Sequence, residues 1–154
     1  MSLVKDGTEK NMNTKIFEVE KSFKLTAECK LVNSDLLVNL SGGNIPHIGG
    51  VVTFDKKTEQ ETSIKFASHD GRMHKDIFLA EQFAKDIENK LPGNLAINAG
   101  IHIDGITKKQ IDDSFVMTSE LAEVVASWVN EEAGSFKKAK YTTHLKRDHE
   151  GKLI

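Results

Sequence analysis

Between residues 15 and 32 apolar and polar positions alternate, with Ile16, Val19, Phe23, Leu25, Ala27 and Cys29 set among charged residues. This is the period of a half-buried strand, and the span predicts one long bent strand or two short ones. Asn33-Ser34-Asp35 has turn composition, 36–40 is a compact apolar strand, and 41–44 is a loop. Residues 48–54 predict another strand and 63–66 a short one after the polar turn at 56–61. Together these form an antiparallel meander. The period then changes: Met73, Ile77, Ala80, Ala84, Ile87 and Leu91 recur at helical spacing until Pro92-Gly93-Asn94 ends the run. Residues 95–103 return to strand character. Thr107-Lys108-Lys109-Gln110 has the form of a capping box, opening a second amphipathic helix with Ile111, Phe115, Thr118, Ala122, Val125 and Val129 on its apolar face. The order β-β-β-β-α-β-α predicts a two-layer α+β domain, an antiparallel sheet carrying both helices on one face.

The pattern divides the chain into a polar N-terminal segment (1–13), a domain (14–130) and a basic C-terminal extension (131–154). The extension reads as a solvated tail unless a neighbouring subunit holds it, with Phe136, Tyr141 and Leu145 as its apolar anchors. At 154 residues one domain of this size buries a core without metals or disulfides. A sheet with helices on one face predicts a homodimer that covers the other face. A single cysteine and no apolar targeting segment in the polar start point to the cytoplasm. The net charge of −2 provides no field for nucleic acid, and no apolar run approaches the roughly 20 residues that cross a bilayer. Neither a nucleic acid nor a membrane is expected as a partner.

Two short segments concentrate the chemistry. In Gly100-Ile101-His102-Ile103-Asp104 strand alternation puts His102 and Asp104 on one face, just before the helix start at Thr107. Unpaired N–H groups and the helix dipole favour an anion there, such as a phosphate or carboxylate, and Gly100 and Gly105 permit close approach. The structural alternative is a turn shaped by Asp104 with His102 half exposed beside it. The second segment, 41–50, packs four glycines, Pro46 and His47 between two strands. It matches neither a Walker loop nor a dinucleotide fingerprint, and a wide hairpin accounts for its glycines but not for Pro46-His47. His69 and His74 flank Asp70-Gly71-Arg72 before the first helix, with His74 read as a surface residue. His47, His69, His102 and Asp104 all fall at strand ends or loops and, if they converge, form a credible set for a divalent metal. Cys29 lies in a strand pattern and reads as an inert core thiol.

Pro46-His47-Ile48-Gly49 opening a strand, His69 before the first helix, and Gly100-Ile101-His102-Ile103-Asp104 followed by Ile106-Thr107 and Ile111 resemble the small LpdD-like proteins, over 35–121. The chain departs from that pattern in its long tail and at Gly50-Val51-Val52, where a smaller, alanine-bearing strand is expected. The resemblance implies a fold like that of proteasome-assembly chaperones, usually dimeric. It also implies a non-catalytic role in binding prenylated flavin mononucleotide (FMN), or FMN, and delivering it to a UbiD-type decarboxylase. The cofactor-binding residues are then His47, Gly49, His69, His102, Asp104, Gly105 and Thr107, with the phosphate near the start of the second helix. Two other functions stand beside this one: a dimeric protein-assembly chaperone without a small ligand, and a metal-dependent enzyme using His47, His69, His102 and Asp104.

Overall fold

A computed structural model of the chain describes residues 4–7, 13–67, 75–141 and 146–153. It is an α+β fold in two layers, a seven-stranded sheet with two helices on one face. The strands are β1 (Val4–Gly7), β2 (Thr14–Glu20), β3 (Lys24–Val32), β4 (Asp35–Gly43), β5 (Gly50–Asp55), β6 (Gln60–Lys65) and β7 (Leu95–His102). The helices are α1 (Asp76–Ile87) and α2 (Lys108–Glu132). The alternating span resolves into two strands, β2 and β3, joined by a turn at Lys21, whose N–H donates to Phe23 O at 3.0 Å. β1 adds a strand within the segment expected to be merely polar. Its four residues pair with β2, a long-range partner that no local pattern in so short a stretch can announce.

The strand order is β1-β2-β3-β4-β7-β5-β6, and every neighbouring pair is antiparallel except β4 and β7. The antiparallel expectation therefore fails at one place. The excursion through β5, β6 and α1 is long enough to return the chain parallel to β4 and insert β7 between β4 and β5. This insertion puts the end of β7 in the middle of the sheet, against the glycine-rich link that precedes β5.

Side chains alternate strictly across the sheet. Leu25, Ala27 and Cys29 on β3, Leu36, Val38 and Leu40 on β4, and Leu95, Ile97 and Ala99 on β7 are buried under the helices. α1 packs on β5, β6 and β7, while α2 packs on β1, β2 and β3. The expected helical faces are the buried ones: Ile77, Ala80, Ala84 and Ile87 on α1, and Thr118, Ala122, Val125 and Val129 on α2. Phe83, the largest fully buried side chain, adds to the first face, and Trp128 meets Phe17 of β2 edge-on with ring centroids 6.1 Å apart. Between the helices Gln82 donates to Ser119 Oγ at 2.6 Å, and the Ser119 hydroxyl donates to Asp86 at 2.9 Å. Met73, the expected first residue of the helical pattern, lies outside the described residues.

The helix-free face is mixed in character, not apolar as the dimer expectation supposed. Glu28, Lys30, Asn39 and Thr53 are exposed there beside Leu37 and Ile64. Cys29 is buried, its thiol pushed far up by desolvation and further by the neighbouring Glu28 carboxylate, as an inert core residue requires. The tail begins docked: Phe136 packs against the core, and the Asn33 side chain both donates to Lys137 O and accepts from Lys137 N–H, each at 2.8 Å. Tyr141 is 89% exposed, not buried against the described residues as an anchor would be. Leu145 lies outside the described residues.

Candidate functional site

The two chemistry-bearing segments meet at the C-terminal end of β7. Asn44 and Ile45 donate their N–H groups to His102 O at 2.7 and 3.3 Å, His47 N–H reaches Gly100 O at 3.4 Å, and Gly49 N–H donates to Ala99 O at 3.0 Å. The link 44–49 thus lies across β7 before turning into β5. Gly100 is what permits this: a Cβ there would coincide with the His47 carbonyl. Asn98 secures the same carbonyl from below, its Nδ2 donating to His47 O at 3.3 Å and to Asn39 Oδ1 at 2.7 Å. Residue 48, expected within a strand, stays in this link, because pairing of β5 with β7 begins only at Gly50 opposite Ala99.

Above that point β7 loses its β5 neighbour, and Asp76 takes the place of a strand. From the first turn of α1 its carboxylate accepts the Ile101 N–H through Oδ1 at 3.1 Å and meets His47 Nε2 through Oδ2 at 3.0 Å. The His47 Nδ1 lies 2.9 Å from Ile45 O. A carbonyl only accepts, so Nδ1 is the donor in that contact. Asp76 is buried, with the N-terminal end of a helix dipole favouring its charge. Gly49 leaves the room it occupies, since a Cβ there would collide with Asp76 Oδ2. Sequence reasoning passed over this residue. Its signal was an acid in the first helical turn, masked by a helical pattern that seemed to begin at Met73.

His102 and Asp104 form a separate, exposed pair, Nε2 to Oδ1 at 3.0 Å, with side chains 51% and 75% accessible. Asp104 N–H donates to Asn44 Oδ1 at 2.9 Å, tying the loop back to the glycine-rich link. Ile101 and Ile103 point toward the core, as alternation requires. Gly105 follows at φ +61°, the left-handed conformation glycine adopts without cost. Thr107 then caps α2 with a complete box: Gln110 N–H donates to Thr107 Oγ1 at 3.2 Å, and Thr107 N–H donates to Gln110 Oε1 at 3.0 Å. Lys108 and Lys109 occupy the first turn. Around this polar corner the same segments expose Ile45, Ile48 and Ile106, at 56, 63 and 47%.

His47 and His102 therefore come together through their backbones, while their rings engage different carboxylates. Among the described residues no three His, Cys, Asp or Glu side chains converge as a metal site. His69, the fourth residue of that set, and His74 lie outside the described residues. Two surface depressions lie elsewhere among the described residues. One of about 330 Å³ is lined by Thr14, Ile16, Glu28 and Leu37, and one of about 500 Å³ by Val32, Phe54 and Asn94. Both are open and carry none of the His47 or His102 chemistry, so the exposed corner is the stronger candidate site.

Among the described residues no helix is long and apolar enough to cross a membrane. The family model for the prenylated flavin chaperone LpdD-like domain matches residues 19–130. The chain is also 40% identical over 122 residues to Protein LpdD of Lactiplantibacillus plantarum, an alignment covering 79% of this chain and 89% of that protein. With most of its length matched by both comparisons, and with both histidine segments inside the matched region, the chain belongs to the LpdD-like prenylated flavin chaperone family.

Proposed function

We propose that this protein binds prenylated FMN without transforming it and delivers it to a UbiD-type decarboxylase, acting in the cytoplasm as a homodimer. The observation that carries this reading is the corner beside β7. The two segments that meet there carry a capped helix N-terminus followed by two lysines, an exposed His102–Asp104 pair and the exposed Ile45, Ile48 and Ile106. The chaperone role follows from the family. His47 and Gly49 serve by placing the link, and Gly105 and Thr107 by presenting the α2 N-terminus. His102 and Asp104 meet the ligand directly, and His69 is assigned to the same site on the resemblance alone.

Titration of the purified protein with FMN and with prenylated FMN, followed by flavin fluorescence, tests the reading. The prenylated form should bind more tightly than FMN, and His102→Ala should weaken binding by about tenfold, the effect of one hydrogen bond to a charged group. A protein that binds neither flavin, or binds both equally well with and without His102, is not a flavin carrier at this corner.

A further inference from the structure

The sheet ends on one side in β6, whose six residues are all exposed. Among the described residues no segment pairs with its outer edge. Its ladder to β5 decides which groups that edge presents. Phe66 N–H donates inward to Gly49 O at 3.1 Å, one residue beyond the ladder pair of Lys65 and Gly50. Backbone groups alternate along a strand, so Ile64 and Thr62 also bond inward, and the N–H and C=O groups of Glu61, Ser63 and Lys65 point away from the molecule. Exposed edges of this kind recruit another strand unless proline, a bulge or inward charge blocks them, and β6 has no proline. The opposite edge, β1, has only four residues.

We infer that two copies of this chain pair through β6, antiparallel about Ser63, so that one continuous sheet runs through both. Only registers that match outward-facing residues with outward-facing residues are allowed, and the one centred on Ser63 uses all three. It sets Glu61 of each copy opposite Lys65 of the other, an opposite-charge pair made twice by the symmetry. On the helix-free side it sets Thr62 against Ile64 and draws Phe66 into the seam. These apolar residues are otherwise 55 and 49% exposed. The helix-side environment of Glu61 asks for such a partner. The Glu88 and Glu81 carboxylates lie near it, Lys85 opposes them, and Ser63 donates to Glu81 at 3.0 Å. Lys65, now stacked 5.7 Å from the Phe78 ring, supplies the added cation. The pairing is independent of the flavin reading and leaves the corner beside β7 open.

Sedimentation velocity of the full-length protein across the micromolar range tests this interface without any flavin. Wild type should dimerise. Ser63→Pro removes an outward N–H that makes no bond among the described residues, and should give a folded monomer with an unchanged circular dichroism spectrum. Glu61→Lys, which places like charges opposite each other twice, should raise the dissociation constant about tenfold, and the double variant Glu61→Lys/Lys65→Glu should restore it. Leu37→Lys, on the helix-free face, should leave the dimer intact. A monomeric wild type, a dimer indifferent to Ser63→Pro, a charge swap that fails to rescue, or dissociation by Leu37→Lys would each overturn the proposal.

Discussion

Asp76 shows how one side chain does the work of a missing strand. Its carboxylate takes the Ile101 amide left bare where β5 ends, and the same group holds the His47 ring. Asp76→Ala strands that buried amide and should lower stability by about 2 kcal/mol. Asp76→Asn retains one acceptor oxygen and should cost distinctly less. Urea unfolding of both variants checks this, and equal losses would mean that charge, not the amide bond, is what α1 contributes here. His47 was visible in the sequence because proline and histidine among glycines are hard to explain as a hairpin. Asp76 was not, because nothing local distinguishes an acid that reaches across to another strand from one that merely begins a helix.

Among the elements, α2 was the most legible, since its capping box and its 3.6-residue period are local and agree. Thr107→Ala should cost about 1 kcal/mol through the lost cap. Asp104→Asn should leave the melting temperature nearly unchanged, Asp104 being exposed, yet alter affinity for prenylated FMN. Unchanged binding in Asp104→Asn, with an equal loss of stability in both variants, would make the loop architecture alone. β6 carries a pH signature. Partial desolvation beside α1 chiefly, then the Glu88 and Glu81 carboxylates, raise the Glu61 carboxyl above its ordinary value, exposed as the residue is. A carboxyl raised on folding holds its proton more tightly when folded, so ionised Glu61 lowers stability and the loss grows as pH rises through the carboxylate range. In the monomeric Ser63→Pro background, Glu61→Gln should therefore raise the melting temperature at neutral pH, the gain closing toward about pH 4. Identical melts at neutral pH would remove Glu61 as a source of strain.

At the scale of the molecule the start of the tail is clamped to the domain. Asn33, in the left-handed conformation at φ +54°, bonds Lys137 twice across the whole length of the domain. Asn33→Gly keeps that conformation and removes the clamp. Limited trypsin digestion should then cut faster at Lys137 and Lys138, while the thermal midpoint of the domain moves little. Unaltered cleavage would show that Phe136 alone retains the tail.

The periods of two and of 3.6 residues, the turns and the cap determined by themselves that this chain is α+β, that two helices bury the faces they do, and that the histidine segments end strands. Each of those features is set by the residues within a turn or a strand of it. What only the tertiary structure decided involves contacts between distant residues. The parallel insertion of β7 beside β4, the recruitment of β1, the Asp76 strut and the separation of the His47 and His102 rings onto different carboxylates are all of this kind. Such contacts are chosen by the closure of long loops and by which backbone groups remain unpaired once the sheet is assembled, and neither quantity is written in any short window of sequence.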